Sequence, residues 1–243
     1  MNWQPFSLHF KQMYAGGYRY LDRAGELMLR AENELDLMPD EAKPTGARMA
    51  LPEEGLAVVI DSAQLVVSQE IVKDEGEVFR RTCSGLSALV AEIFAPRRIQ
   101  SNGFASKSFW PAASVERARQ MSLRFAEPSV AETGKGLGMV PCEAILDQRF
   151  ASGSYELHVR LLPVTFESVR LQRVHAGARA STEALRRVER MQKKAERVGT
   201  IEPHALMLDV DLVEFDPPPD SLEAHFAELR KRERHLQETR RPG

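Results

Sequence analysis

Asp209 and Asp211 stand two apart in a run where Leu206, Leu208, Val210 and Leu212 alternate with Met207, Asp209, Asp211 and Val213. In a strand, with its period of two, both carboxylates emerge from the same face. Paired hard-oxygen donors of this kind hold divalent cations in metal-dependent nucleases and transferases, and Glu214 and Asp216 follow close behind. Upstream, Leu157, Val159 and Leu161 alternate with Glu156, His158 and Arg160. If the two strands pair, Glu156, His158, Arg160, Asp209 and Asp211 form one polar face. A carboxylate there raises the pKa of the histidine and anchors the arginine, giving an acid–base pair or a salt-bridged surface. Antiparallel sheets with one solvated face normally turn polar residues outward, so the salt-bridged surface is the simpler of the two. These five residues are the candidates for a ligand-receiving face. No catalytic residue, metal ligand or cofactor is assigned.

Arg186, Arg190, Lys193 and Arg197 recur at helical spacing beside the apolar positions Leu185, Val188, Met191, Ala195 and Val198. A basic stripe of this kind can follow a phosphate backbone, which makes nucleic acid a candidate partner. Glu183 and Glu189, four residues before Arg187 and Lys193, neutralise part of it. Gly134-Lys135-Gly136-Leu137-Gly138 has neither the phosphate-loop spacing nor a dinucleotide fingerprint, and reads as a flexible turn. Cys83 lies among apolar residues and Cys142 follows a proline. Neither has a basic neighbour in sequence to lower its pKa. The histidines lack metal-ligand spacing, and no serine sits in a GxSxG elbow.

The first 20 residues are rich in aromatics, among them Trp3, Phe6, Phe10, Tyr14 and Tyr18. That much apolar area in a terminal segment has to be covered, and a partner protein is the expected cover. The net charge of −2 conceals an acidic stretch over 22–77 and a basic one over 80–135, a further hint of a polar partner surface. Two cysteines are too few for a disulfide framework, and no run reaches the roughly 18 apolar residues of a membrane span. With no basic, apolar leader at the start, the expected compartment is the cytoplasm.

The elements that must position these groups follow from periodicity. Leu27, Met28, Ala31 and Leu35 fit a helix face, and 40–54, with its prolines and charges, reads as a loop. Val58 to Gln69 reads as a hairpin, 75–95 as a helix stopped by Pro96, 99–109 as extended, and Ser114 as the start of a short helix. The second half restarts with strand-like runs over 154–174 broken at Pro163, a helix over 180–198, the strand of Asp209 and Asp211, and a helix using Leu222, Phe226 and Leu229. From Lys231 the dense charge reads as a fraying tail.

The expected organisation is an aromatic-rich segment and acidic loop over 1–55, a first α+β unit over 56–125, a flexible connection over 126–142 and a second unit over 143–243. The expected fold is α+β, a mostly antiparallel sheet with helices on one face, built from a duplicated ββαβα unit. The expected function is that of a non-catalytic interaction protein in a larger bacterial assembly. A nucleic-acid accessory protein is the alternative, and a metal-dependent enzyme comes behind it.

Overall fold

The alternating runs become strands and the 3.6-period runs become helices. The computed structural model describes residues 3–70, 72, 76–126, 136, 142–165, 204–218 and 221–240. The chain runs through β1 (Gln4–Ala15), α1 (Tyr20–Leu35), β2 (Met38–Lys43), β3 (Gly46–Leu51), a single 3-10 turn (Pro52–Glu54), β4 (Leu56–Ile60) and β5 (Gln64–Glu70). It continues through α2 (Glu77–Ile93), β6 (Arg98–Ala112), α3 (Val115–Leu123), β7 (Leu146–Ser152), β8 (Tyr155–Thr165), β9 (His204–Phe215) and a last helix, here α4 (Leu222–Thr239). The nine strands among the described residues form one sheet in the order β2-β3-β4-β5-β1-β6-β9-β8-β7, and every neighbouring pair is antiparallel. The fold is α+β.

The described helices lie on one face of the sheet. Alternation decides which side chains meet them. Val58, Leu65, Val67, Leu8, Phe10, Phe104, Leu208, Val210 and Val159 point towards the helices and are buried with Leu27 and Ala31 of α1, Phe79, Leu86 and Val90 of α2, Met121 of α3 and Phe226 and Leu229 of α4. Phe104 is the hub, with ring contacts to Phe10, Phe79 and Phe226. A second, smaller cluster of Phe6, Val164, Ala205 and Met207 sits on the other face. α2 can begin where it does because Gly76 adopts φ +85 against β1; a Cβ there would meet Leu8 Cδ1 at 2.4 Å.

Several expectations need correction. Residues 40–54 are not a loop: Ala47, Met49 and Leu51 are buried in β3, while β2 is an exposed edge strand whose Pro39 and charges hide its character. Pro163 does not break β8. β7 reaches only to the Leu146–Leu161 pair, so a missing N–H beyond it costs no ladder bond on that side. The charged stretch from Lys231 is helical as far as Thr239. Glu233 is buried there, accepting from Ser108 and Arg230, and Glu228 pairs with Lys231 and Arg232.

The ββαβα frame fails on strand pairing. β6, which follows α2, pairs with β1 and β9 and with neither strand of the β4–β5 hairpin, whereas β9 pairs directly with β8. The helix expected over 180–198 lies outside the described residues. Outward from the β1–β6 seam, the strands follow the order β1-β5-β4-β3-β2 on one side and β6-β9-β8-β7 on the other.

Candidate functional site

β8 and β9 pair with Arg160 opposite Asp209 and His158 opposite Asp211. The five predicted face residues therefore share the side of the sheet turned away from the helices, as their spacing requires. The pairing within that face is less uniform than alternation suggests. Asp209 is buried, and its carboxylate is held by Arg160 Nη2 at 2.5 Å with Lys107 Nζ at 3.8 Å. His158 turns to β7, its Nε2 lying 2.6 Å from Asp147 Oδ1, and that hydrogen bond keeps the Asp147 carboxyl below its usual range. Glu156 is exposed opposite Val213.

Asp211 has no hydrogen bond or ion pair among the described residues. Half-buried, it has its pKa raised, first by burial and then by the neighbouring Asp209 charge. It lines, with Arg149, Glu156, His158 and Val213, a depression of about 350 Å³. Among the described residues no group of three or more histidines, cysteines or carboxylates is arranged to hold a metal ion. Asp209, tied to Arg160, is committed to a salt bridge.

The terminal aromatics are placed differently from expectation. β1 is hydrogen-bonded on both sides, to β5 and β6, which makes it an interior strand of the sheet. Phe10 and Tyr14 are 1% and 2% exposed, and Phe6 packs on Phe109 in the smaller cluster. Trp3 stands edge-on to Trp110 and donates Nε1–H to the Gln237 carbonyl. Tyr18 alone of the five is exposed, at 70%. Phe6, Phe10 and Tyr14 therefore belong to the protein's own interior and are not available to a partner. Arg186, Arg190, Lys193 and Arg197 lie outside the described residues, as does the Gly134–Gly138 turn apart from Gly136. Burial pushes the Cys83 thiol pKa well up, which makes it a poor nucleophile, and Cys142 is exposed.

On the helix-bearing face lies a constellation that sequence reasoning did not find. Gln12, Asn102, Glu214 and Tyr155 occupy matched register positions on β1, β6, β9 and β8, forming a polar row across four strands. Gln12 Nε2 donates to Asn102 Oδ1 at 3.0 Å and to Ser87 Oγ of α2 at 2.8 Å. Glu214, 3% exposed, accepts from Tyr155 Oη at 2.9 Å and Ser221 Oγ at 3.3 Å, and meets His225 Nδ1 of α4 at 3.1 Å. His225 is fully buried, and its Nε2 lies 3.1 Å from the Leu212 carbonyl oxygen. Nε2 must donate to that carbonyl, which leaves one proton to be held between Nδ1 and the carboxyl. Burial pushes the imidazole pKa down, against the opposing pull of the Leu212 carbonyl and Glu214.

A signal for this row did exist. Glu214 continues the even-numbered, apolar phase of β9, and His225 falls on the apolar face of α4 beside Leu222, Phe226 and Leu229. Charged or titratable residues in a buried phase are the informative exceptions. The row opens at one end into a cleft of about 650 Å³ between α2 and the corner joining β9 to α4.

No protein-family model matches the chain, and no curated protein gives a sequence match.

Proposed function

We propose that this chain is a non-catalytic interaction protein, a subunit of a larger assembly, that docks its partner on the β7–β8–β9 face turned away from the helices. Asp211 is the observation that carries this reading. Its carboxylate is half-buried, lines a depression and makes no hydrogen bond or ion pair among the described residues, with Arg160 and His158 acting on it only through space, while its neighbours Asp209 and Asp147 are both directly paired. Keeping an anion in that position works against the stability of the isolated chain. A lysine or arginine of a partner entering the depression gives Asp211 a direct ion-pair partner and offsets the cost of its burial. The same reading puts the protein in the cytoplasm, on the strength of its two unpaired cysteines.

The test is affinity capture from the native host with three baits: the natural chain, Asp211→Lys, and Glu53→Lys as a distant control of the same charge change. A protein retained by the first and third baits and lost from the second supports the reading. Identical capture by all three removes it. The nucleic-acid reading is supported only by the sequence pattern of Arg186, Arg190, Lys193 and Arg197. Charge reversal at Arg190 and Lys193, with binding followed against salt, decides it.

A further inference from the structure

The edges of the described sheet, β2 and β7, are built differently. β2 carries Pro39, which has no N–H to offer, and its pairing with β3 slips between Pro39 and Glu41. β7 carries no proline, glycine or lysine, and its ladder with β8 runs from Leu146 to Ser152 without a shift. An edge of that kind is a template for another strand.

The β7–β8 turn decides which backbone groups the edge offers. Phe215 N–H donates to the Ser154 carbonyl, so Ser154 turns its backbone to β9 and the next residue, Tyr155, turns to β7. Tyr155 pairs with Ser152. By alternation Ser152, Phe150, Gln148 and Leu146 bond to β8, while Asp147, Arg149 and Ala151 turn their N–H and C=O groups outward, without a backbone partner among the described residues. The side chains are unmet too. Phe150 is 50% exposed. Arg149 is exposed and makes no ion pair or side-chain hydrogen bond among the described residues, acting on Asp147 only through space.

β7 is complementary to itself when laid antiparallel. Outward-turned residues must oppose outward-turned residues, so a two-fold axis falls on a single residue. On Gln148, it sets Asp147 against Arg149 of the second copy and Leu146 against its Phe150, on both sides of the axis. On Asp147 or Arg149 it opposes like charges, and on Leu146 or Phe150 it leaves Asp147 facing Ile145 or Gly153.

We infer that β7 pairs antiparallel with β7 of a second copy of this chain about a two-fold axis at Gln148, joined by Asp147–Arg149 ion pairs and Leu146–Phe150 contacts. One strand pair is a small interface, so the dimer is reversible and grows with concentration. It does not rest on the Asp211 reading, since the strand of Asp211 lies two places in from this edge.

The experiment is sedimentation equilibrium of the full chain over a range of concentrations, where the natural chain should show a monomer–dimer equilibrium. Arg149→Asp and Asp147→Arg, each alone, should weaken it at least about tenfold, because each turns two attractive cross-strand pairs repulsive. Mixed in equal amounts, these two variants should associate with each other about as tightly as the natural chain does with itself, since every opposed pair is again opposite in sign. Gln148→Cys in a Cys142→Ser background should form a disulfide-linked dimer under oxidised glutathione, the axis bringing the two Cα atoms to about 4.5 Å, and Arg149→Cys in the same background should not. The inference is overturned if the natural chain stays monomeric at the highest concentration it tolerates, if Arg149→Asp leaves the dimer unchanged, or if the mixture fails to associate. Arg149 is exposed and unbonded, so its variants keep the fold. Asp147→Arg loses the His158 contact and is checked by circular dichroism; if it misfolds, the cross-link decides.

Discussion

Removal of one member of the Glu214–His225 pair should cost far more than its size suggests, and removal of both should cost little more than removal of one. Glu214 and His225 are almost wholly inaccessible, and the carboxyl also serves Tyr155 and Ser221. Glu214→Met keeps the volume but leaves the Tyr155 hydroxyl and His225 Nδ1 buried without partners, a loss of about 3–5 kcal/mol for breaking a buried pair. His225→Leu leaves the carboxyl with two of its three contacts, for about 3 kcal/mol. In the double variant the polar contact is gone from both sides, so the sum of the two single losses should overshoot by about 2–3 kcal/mol. Urea unfolding at neutral pH, with all four proteins compared at equal slope, reads this coupling directly. Additivity within about 0.5 kcal/mol would show that the two groups do not act as a unit and would refute the account of the row.

The same histidine sets a pH dependence. Its folded-state pKa is pushed below 6.5, so between that value and the folded one the unfolded chain binds more protons. Its contribution is therefore complete above about pH 6.5 and lost on acidification towards the folded pKa; the natural chain should lose more stability between neutral pH and pH 5 than His225→Leu does. Asp211→Asn should raise Tm at neutral pH, because an acid whose pKa is raised by burial opposes folding when ionised; a lowered Tm would mean that Asp211 has a stabilising partner. Deleting residues 1–15 should leave a chain without cooperative unfolding by circular dichroism, because it removes a strand bonded on both sides. Phe10→Ala alone should cost about 3–5 kcal/mol in urea unfolding. Arg160→Met should cost about 1–3 kcal/mol, since buried Asp209 then keeps only Lys107 at 3.8 Å, discounted because the arginine is itself half exposed.

Where neighbouring residues report on one another, the sequence was a sound guide. The periodicities of 58–69, 75–95 and 206–213 correspond to β4 with β5, α2 and β9, and Ser114 does cap α3 through Arg117 N–H. The shared face of His158, Arg160, Asp209 and Asp211 follows from alternation plus one pairing. What local pattern cannot carry is which strands pair across long separations. The aromatics of β1 looked terminal because nothing nearby in the chain says that β5 and β6 will flank them. β2 was hidden because an edge strand needs only half of its face covered. The polar row draws one residue from each of four strands, so it has no spacing to detect; only the phase of Glu214 and the helical position of His225 betray it.

The place of β1 has a consequence for how the chain reaches its native state. β1 is made before every other described strand yet lies in the middle of the sheet, and its cross-strand contacts lie 59 and 90 residues further along, as His9 with Ser68 and Gln12 with Asn102 show. Until β5 and β6 exist, β1 has two unpaired edges and a row of apolar rings with nothing to cover them. High contact order of this kind slows folding, and a waiting apolar strand is a target for mispairing. During synthesis the hairpin of β3, β4 and β5 can close early from local contacts, then capture β1, and only afterwards can β6 lock the seam on which the other half of the sheet is built. The emerging chain should therefore depend on holdase protection for about as long as it takes to make residues 15 to 112, and slowing translation before β6 should raise its loss to aggregation rather than relieve it.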